Sequence, residues 1–244
     1  DRASTWTGGA FQAWLARIAA GLWVLALPIF LMMLSGALAV NQHRLYYYGF
    51  DRFDISEDTG IATADLRRTA RELVQYFNSQ EEFIQVRGAI WGQERDLFTE
   101  REIVHLKDVK DLVHKVYWVA GLALAYLSGY AGLRLMLRRR RDPVRALLRL
   151  ALYGSLLTLG LLLVLGIWAI VGFGGLFYLF HILSFSNPFW QLDPRQHYLI
   201  RLFPEGFFLQ SMLFIAAATA IEAVVIGGKA GWALSRLRRA RRDA

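Results

Sequence analysis

The chain has 244 residues, 55% of them hydrophobic and 20% charged, with a formal net charge of +8. That balance is too apolar for an ordinary soluble domain of this length and leaves little chain for a large soluble domain. The complete lack of cysteine excludes a disulfide framework, a thiol nucleophile and a thiolate metal site.

The first apolar run covers about residues 15–40, with Arg17 near its start and a kink predicted at Pro28. Its end, Ala37-Leu38-Ala39, mimics a signal-peptidase site. The run is nevertheless long enough to cross a bilayer, which takes about 20 apolar residues, and reads as a retained anchor. Further spans are expected at about 116–137, 147–171 and 207–234. Arg138, Arg139, Arg140, Arg141 and Arg145 fall in a basic loop at 138–146, and Arg236, Arg238, Arg239, Arg241 and Arg242 in a basic tail at 235–244. The positive-inside bias puts both tracts, and with them both termini, in the cytoplasm. Much of the net charge is therefore topological. No aromatic-studded basic surface accompanies these arginines, so nucleic acid is not an expected partner, whereas anionic membrane lipids are.

With cytoplasmic ends, residues 41–115 and 172–206 both fall outside. The expected fold is a single all-α integral membrane domain with four transmembrane helices, a small, mostly helical extracytoplasmic insert and a re-entrant or interfacial outer segment. In the insert, Leu66, Ala70, Leu73, Val74 and Phe77 recur at helical spacing, predicting an amphipathic helix over Ala64 to Phe77. Thr99 followed by Glu102 forms a capping box, so a helix should begin there and run on into the second span. At about 100° per residue, Glu102, His105, Val109, Leu112 and Val116 share its buried face, while Lys107, Lys110, Asp111 and His114 take the other. Glu102 and Asp108, each one turn from His105, are candidates to orient its imidazole.

The second outer segment opens on Gly172-Phe173-Gly174-Gly175, glycines able to break the third helix. Non-helical backbone at that depth is tolerated only when packed in protein or lining a cavity, so the segment is expected to wall a pocket. Phe177, Tyr178, Phe180, Phe185, Phe189, Trp190 and Tyr198 crowd it, as an interfacial aromatic belt, an apolar wall for acyl chains, or both. His181 lies inside this cluster, where a titratable group is expensive and often functional. Asn187, Asp193, His197, Arg201 and Glu205 follow among apolar residues, a mixture that fits a polar head group above apolar tails. Glu222, the one acid well inside the fourth span, reads as structural.

Two stretches carry a family likeness. They are Thr-Glu-Arg-Glu-Ile-Val-His-Leu-Lys-Asp-Val at 99–109 and Phe-His-Ile-Leu-Ser-Phe-Ser-Asn-Pro-Phe-Trp-Gln-Leu-Asp-Pro at 180–194, followed by Leu199-Ile200 and Phe203-Pro204-Glu205. Together they resemble the bacterial lipoprotein intramolecular transacylase family, Lit. The resemblance implies an acyltransferase of the bacterial cell membrane that moves the sn-2 acyl chain of a diacylglyceryl lipoprotein to the α-amino group of its N-terminal cysteine. It also implies that His105 and His181 are the catalytic residues. Glu102, Asp108, Asn187, Trp190 and Asp193 are supporting candidates. Phe177, Phe180, Phe185, Tyr198 and Arg201 are candidates to line a substrate pocket. The chain departs from the family pattern at His197, where an acidic residue is expected.

Acyl transfer from ester to amine needs a base, an acid for the leaving alkoxide and stabilisation of an oxyanion. Two histidines can supply both proton transfers, and without a nucleophile motif direct attack within the bound substrate is favoured over an acyl-enzyme. No cofactor or metal is expected. Two other classes remain open: a membrane metallohydrolase that uses His105, His181 and Glu102 or Asp108 as ligands, and a non-enzymatic lipid or lipoprotein binder. Acid–base work on one substrate predicts that the two imidazoles approach within about 4 to 8 Å.

Overall fold

The computed structural model describes residues 3–137, 142–240 and 242, with side chains from residue 10 onward. The arginine tract 138–141 and Arg241 lie outside the described residues. In chain order the elements are α1 (Ala3–Val40), α2 (His43–Arg52), α3 (Ile55–Thr59), α4 (Thr63–Phe77), β1 (Arg87–Ile90), β2 (Gln93–Asp96), α5 (Glu100–Met136), α6 (Pro143–Ser184), a 3₁₀ turn (Pro188–Trp190), α7 (Tyr198–Leu202) and α8 (Glu205–Ala240). Among the described residues, four helices are long and apolar enough to cross a membrane: Ala10–Val40, Glu100–Met136, Pro143–Ser184 and Glu205–Ala240.

The chain divides into two compact units. The first comprises Asp1–Leu34, Val119–Val164 and Ala216–Ala244. Its core is Trp23, Leu27, Leu31, Leu127 and Ala223. Two aromatic side chains tie its helices together, the Trp23 indole donating to the Leu127 carbonyl (3.1 Å) and the Tyr126 hydroxyl to that of Ala19 (2.8 Å). Gly154 allows close approach, since a Cβ there would lie 2.8 Å from Leu27 Cδ2. Small residues at such crossings are the usual means by which membrane helices gain packing contact. Leu122, Leu163, Ile221 and similar side chains remain exposed, as expected of helix faces that meet lipid.

The second unit comprises Ser35–Trp118 and Leu165–Ile215. Its core gathers Tyr46, Phe50, Leu66, Leu73, Phe77, Ile90, Leu106, Val113, Leu202 and Phe203. The amphipathic stripe of α4 supplies Leu66, Ala70, Leu73, Val74 and Phe77 to it. A polar network closes one side. The Asn41 amide donates to the Tyr117 hydroxyl (2.6 Å), Asn78 donates to the Asn41 carbonyl oxygen (2.8 Å), and the Tyr117 hydroxyl donates to Asn78 (3.2 Å).

The structure departs from the sequence reading in two places here. First, residues 87–96 form a β-hairpin, with Arg87 opposite Asp96 and Ile90 opposite Gln93. Its two-residue turn puts both Trp91 (φ 51°) and Gly92 (φ 80°) in the left-handed region, the geometry that matches strand twist in a tight hairpin. Four-residue strands, one of them fully exposed, are too short for apolar alternation to show. Second, Lys110 is buried rather than solvated. Its ammonium donates to the Glu81 carbonyl (2.5 Å) and the Ser79 hydroxyl (3.3 Å) over the Tyr76 ring at 4.4 Å. His114, on the same face, is half-buried and donates through Nε2 to the Phe77 carbonyl at the end of α4 (2.9 Å).

Candidate functional site

The second unit builds its polar centre on α5 and the end of α6. Helix α5 starts as the capping box predicts. The Glu102 carboxylate, fully buried, accepts from the Thr99 amide and hydroxyl (both 2.7 Å) and from the Leu199 amide at the start of α7 (2.6 Å). One oxygen thus caps α5 and the other joins α5 to α7, and no described hydrogen bond links Glu102 to His105.

The glycines at 172–175 interrupt the third span as expected, with a kink at Gly172 that joins two helical stretches. The backbone leaves helical geometry at Gly172 (φ −171°, ψ 74°) and resumes, so the helix reaches Ser184 and places His181 in its last turn. The expected re-entrant stretch is thus helical as far as Ser184, because a single altered residue costs only local hydrogen bonds that a helix can bridge.

His105 and His181 face each other with ring centroids 6.3 Å apart and 33° between planes. Each is only 7% exposed. His181 Nδ1 lies 2.7 Å from the Phe177 carbonyl, an oxygen that can only accept, so Nδ1 carries the proton. In a neutral ring Nε2 then holds the lone pair. Four aromatic rings surround this imidazole: Phe177 (4.3 Å), Trp190 (4.8 Å), Phe180 (5.3 Å) and Phe185 (5.6 Å). Phe185 also meets His105 edge-on at 5.0 Å. His105 Nδ1 is buried and has no hydrogen-bond partner among the described residues, an arrangement that costs free energy in a finished core.

The loop after α6 is fastened to α5. Asn187 donates to the Asp108 carboxylate (2.7 Å) and, through its carbonyl oxygen, caps the 3₁₀ turn by accepting from the Phe189 amide (3.0 Å). Arg101 donates from Nη2 to the carbonyls of Pro188 and Gln191, with its guanidinium 5.4 Å from the Phe189 ring centroid.

The family model for the lipoprotein intramolecular transacylase Lit matches residues 22–208, more than half of the chain. The chain belongs to the Lit family. It is therefore an acyltransferase. Its fold is shared by the membrane-integral lipoprotein intramolecular transacylase Lit from Bacillus cereus, with a TM-score of 0.76 and 21% identity over 93% of this chain and 99% of that one. A variant of that protein with a histidine changed to alanine gives 0.74 and 19% over 95% and 99%. No curated protein sequence matches the chain.

In this Lit-family chain the remaining sequence candidates divide clearly. Trp190, Phe177, Phe180 and Phe185 stand around the histidine pair, and Asp108 and Asn187 meet beside it. Asp193 is held by Arg195, which is 2.9 Å away and keeps its carboxyl below the usual range, and its amide donates to His197 Nδ1 (2.9 Å). Tyr198 carries Arg95 and Arg201 on its ring, and Arg201 pairs with Asp58 at 3.0 Å. None of Asp193, Tyr198 and Arg201 has a described contact with either catalytic candidate. Arg101 belongs to no motif that singles it out, although its place four residues before His105 puts it on the same helix face. Among the described residues no three His, Cys, Asp or Glu side chains are grouped to hold a metal ion. The carboxylates considered for that purpose, Glu102 and Asp108, are engaged by Thr99, Leu199 and Asn187.

Proposed function

We propose that this chain moves the sn-2 acyl group of a diacylglyceryl lipoprotein to the α-amino group of its N-terminal cysteine, leaving an N-acyl, S-monoacylglyceryl lipoprotein. The reaction takes place at the outer surface of the bacterial cytoplasmic membrane, with both termini and their arginines inside. The observation that carries this reading is the facing pair His105 and His181, 6.3 Å apart, with the proton of His181 fixed on Nδ1.

The amine nitrogen attacks the ester carbonyl carbon as the ester C–O bond breaks. His181 Nε2, the nitrogen with the lone pair, takes the proton that the amine gives up. His181 then gives that proton to the glyceryl oxygen as it leaves, while the N–H of His105 donates a hydrogen bond to the oxyanion formed in between. This division of labour follows the rule that a base is set by what its other nitrogen donates to. Amine and ester belong to one molecule, so much of the acceleration comes from holding them in reactive geometry, worth roughly 7 to 11 kcal/mol in favourable cases. Phe177, Phe180, Phe185 and Trp190 exclude water and receive the upper part of the acyl chains. Asp108 and Asn187 support the loop that carries Trp190, while Glu102 and Asp193 hold the scaffold.

The test is co-expression with a diacylglyceryl lipoprotein, followed by tandem mass spectrometry of the N-terminal lipopeptide, because the product is an isomer of the substrate. An amide-linked acyl group is expected with this chain, and none with His105→Ala or His181→Ala. A lipopeptide whose acyl groups all remain ester-linked would overturn the reading in favour of a binding protein, as would full conversion by the double variant.

A further inference from the structure

Arg101 occupies the turn of α5 before His105, and Asp108 the turn after it. Both reach the same loop: Arg101 through the carbonyls of Pro188 and Gln191, Asp108 through the amide of Asn187. The loop is thus fixed to one helix on either side of the histidine, and it carries Trp190, whose ring lies 4.8 Å from that of His181 and 5.6 Å from Tyr178. A lone hydrogen bond at Asn187 would leave the rest of the loop free to turn about it. The planar guanidinium supplies what is missing. One nitrogen spans two carbonyls three residues apart while the flat face packs on Phe189, a combination that ammonium cannot reproduce.

We propose that Arg101 is a positioning residue for acyl transfer: it latches the Pro188–Gln191 turn onto α5 and so holds Trp190 against His181. This inference rests on the acyl-transfer reading above and deepens it. Without the latch the indole leaves one wall of the imidazole open, the ring gains rotational freedom and water reaches it. Misplacement of a catalytic group by about 1 Å costs on the order of 100-fold, so loss of Arg101 should act mainly on turnover rather than on substrate affinity.

The test uses the full chain in lipid nanodiscs and two readings. In Arg101→Met, kcat for a synthetic diacylglyceryl lipopeptide should fall by about 10- to 100-fold with KM changed by less than about threefold. Hydrogen exchange at the Phe189 and Gln191 amides, both internally bonded in the turn, should rise at least about tenfold while that of α4 is unchanged. Arg101→Lys keeps the charge without the flat guanidinium face that packs on Phe189 and should fail to rescue either reading. Phe189→Leu, which leaves the arginine in place and removes only its platform, should loosen the turn and lower kcat by a smaller factor. Activity that survives a loosened turn overturns the proposal, and so does activity lost while the turn exchanges as in the wild type. A wild-type chain that transacylates nothing would sink the acyl-transfer reading, and unchanged exchange in Arg101→Met would then overturn the latch by itself.

Discussion

Two neighbouring regions of the second unit bury polar side chains in opposite ways. Around Lys110 and the Asn41–Asn78–Tyr117 network, each buried donor has found an acceptor: the ammonium meets a carbonyl, a hydroxyl and an aromatic face, and the two amides and the phenol close on one another. Around His105 and His181, one ring nitrogen is bonded and another is buried without a partner. Burial is the same; satisfaction is not. Satisfied polar groups fasten a structure, whereas the unpartnered buried nitrogen beside a second imidazole is the feature on which the proposed acyl transfer rests.

That contrast can be broken by substitution. The largest effect is expected at the unsatisfied centre. His181→Ala should lower acyl transfer by about 10²- to 10⁴-fold with little change in thermal unfolding, read by lipopeptide mass spectrometry beside a melting curve in detergent. Loss of the fold in step with activity would erase the distinction. Glu102, fully buried and one turn from His105, should behave oppositely. Glu102→Ala strands the amides of Thr99 and Leu199 and should cost about 3 kcal/mol of stability, seen as a lowered melting temperature, while turnover per folded molecule at low temperature stays within a few-fold of normal. Lys110→Met keeps most of the packing and loses the two hydrogen bonds, so about 1 to 2 kcal/mol is expected in the same measurement, with activity retained.

The smallest effect concerns pH. Burial, and then the negative charges of Asp111, Glu81, Glu82 and Asp108, push the Tyr76 phenol up to about 12. The folded state therefore holds this proton more tightly than the unfolded chain, whose phenol titrates near 10. The resulting stability is intact below pH of about 10 and disappears as pH rises towards 12. Circular dichroism on alkaline titration should show a loss in that window, and Tyr76→Phe should lessen it.

The sequence reveals each part of this molecule to the extent that the determining forces are local. Length and apolarity suffice for four spanning helices, and the 3.6-residue period brings Glu102 and His105 to the inner face of α5. The same period misplaces Lys110, because its partners come from residues 79–81, a contact no helical wheel contains. The hairpin is hidden since β2 is wholly polar and its turn uses Trp91 where asparagine or glycine would advertise it. Glu102 and Asp108 both look like partners of His105 by spacing alone; the oxygens of Glu102 are claimed by Thr99 and Leu199, whereas Asp108 accepts from Asn187 through one oxygen and still acts on His105 through its charge. Arg101 escapes notice because its role depends on carbonyls, which every residue has and no motif records.

Gly172 gives the histidine pair a mechanical setting. From that interruption to His181 are nine residues, or about 13 Å of helix at 1.5 Å per residue, so the end of α6 is a lever with the imidazole near its tip. A bend of only 10° at the pivot carries His181 about 2 Å sideways, the difference between a hydrogen bond made and one missed. Turnover by this chain should therefore respond to the thickness and lateral pressure of the bilayer around α6.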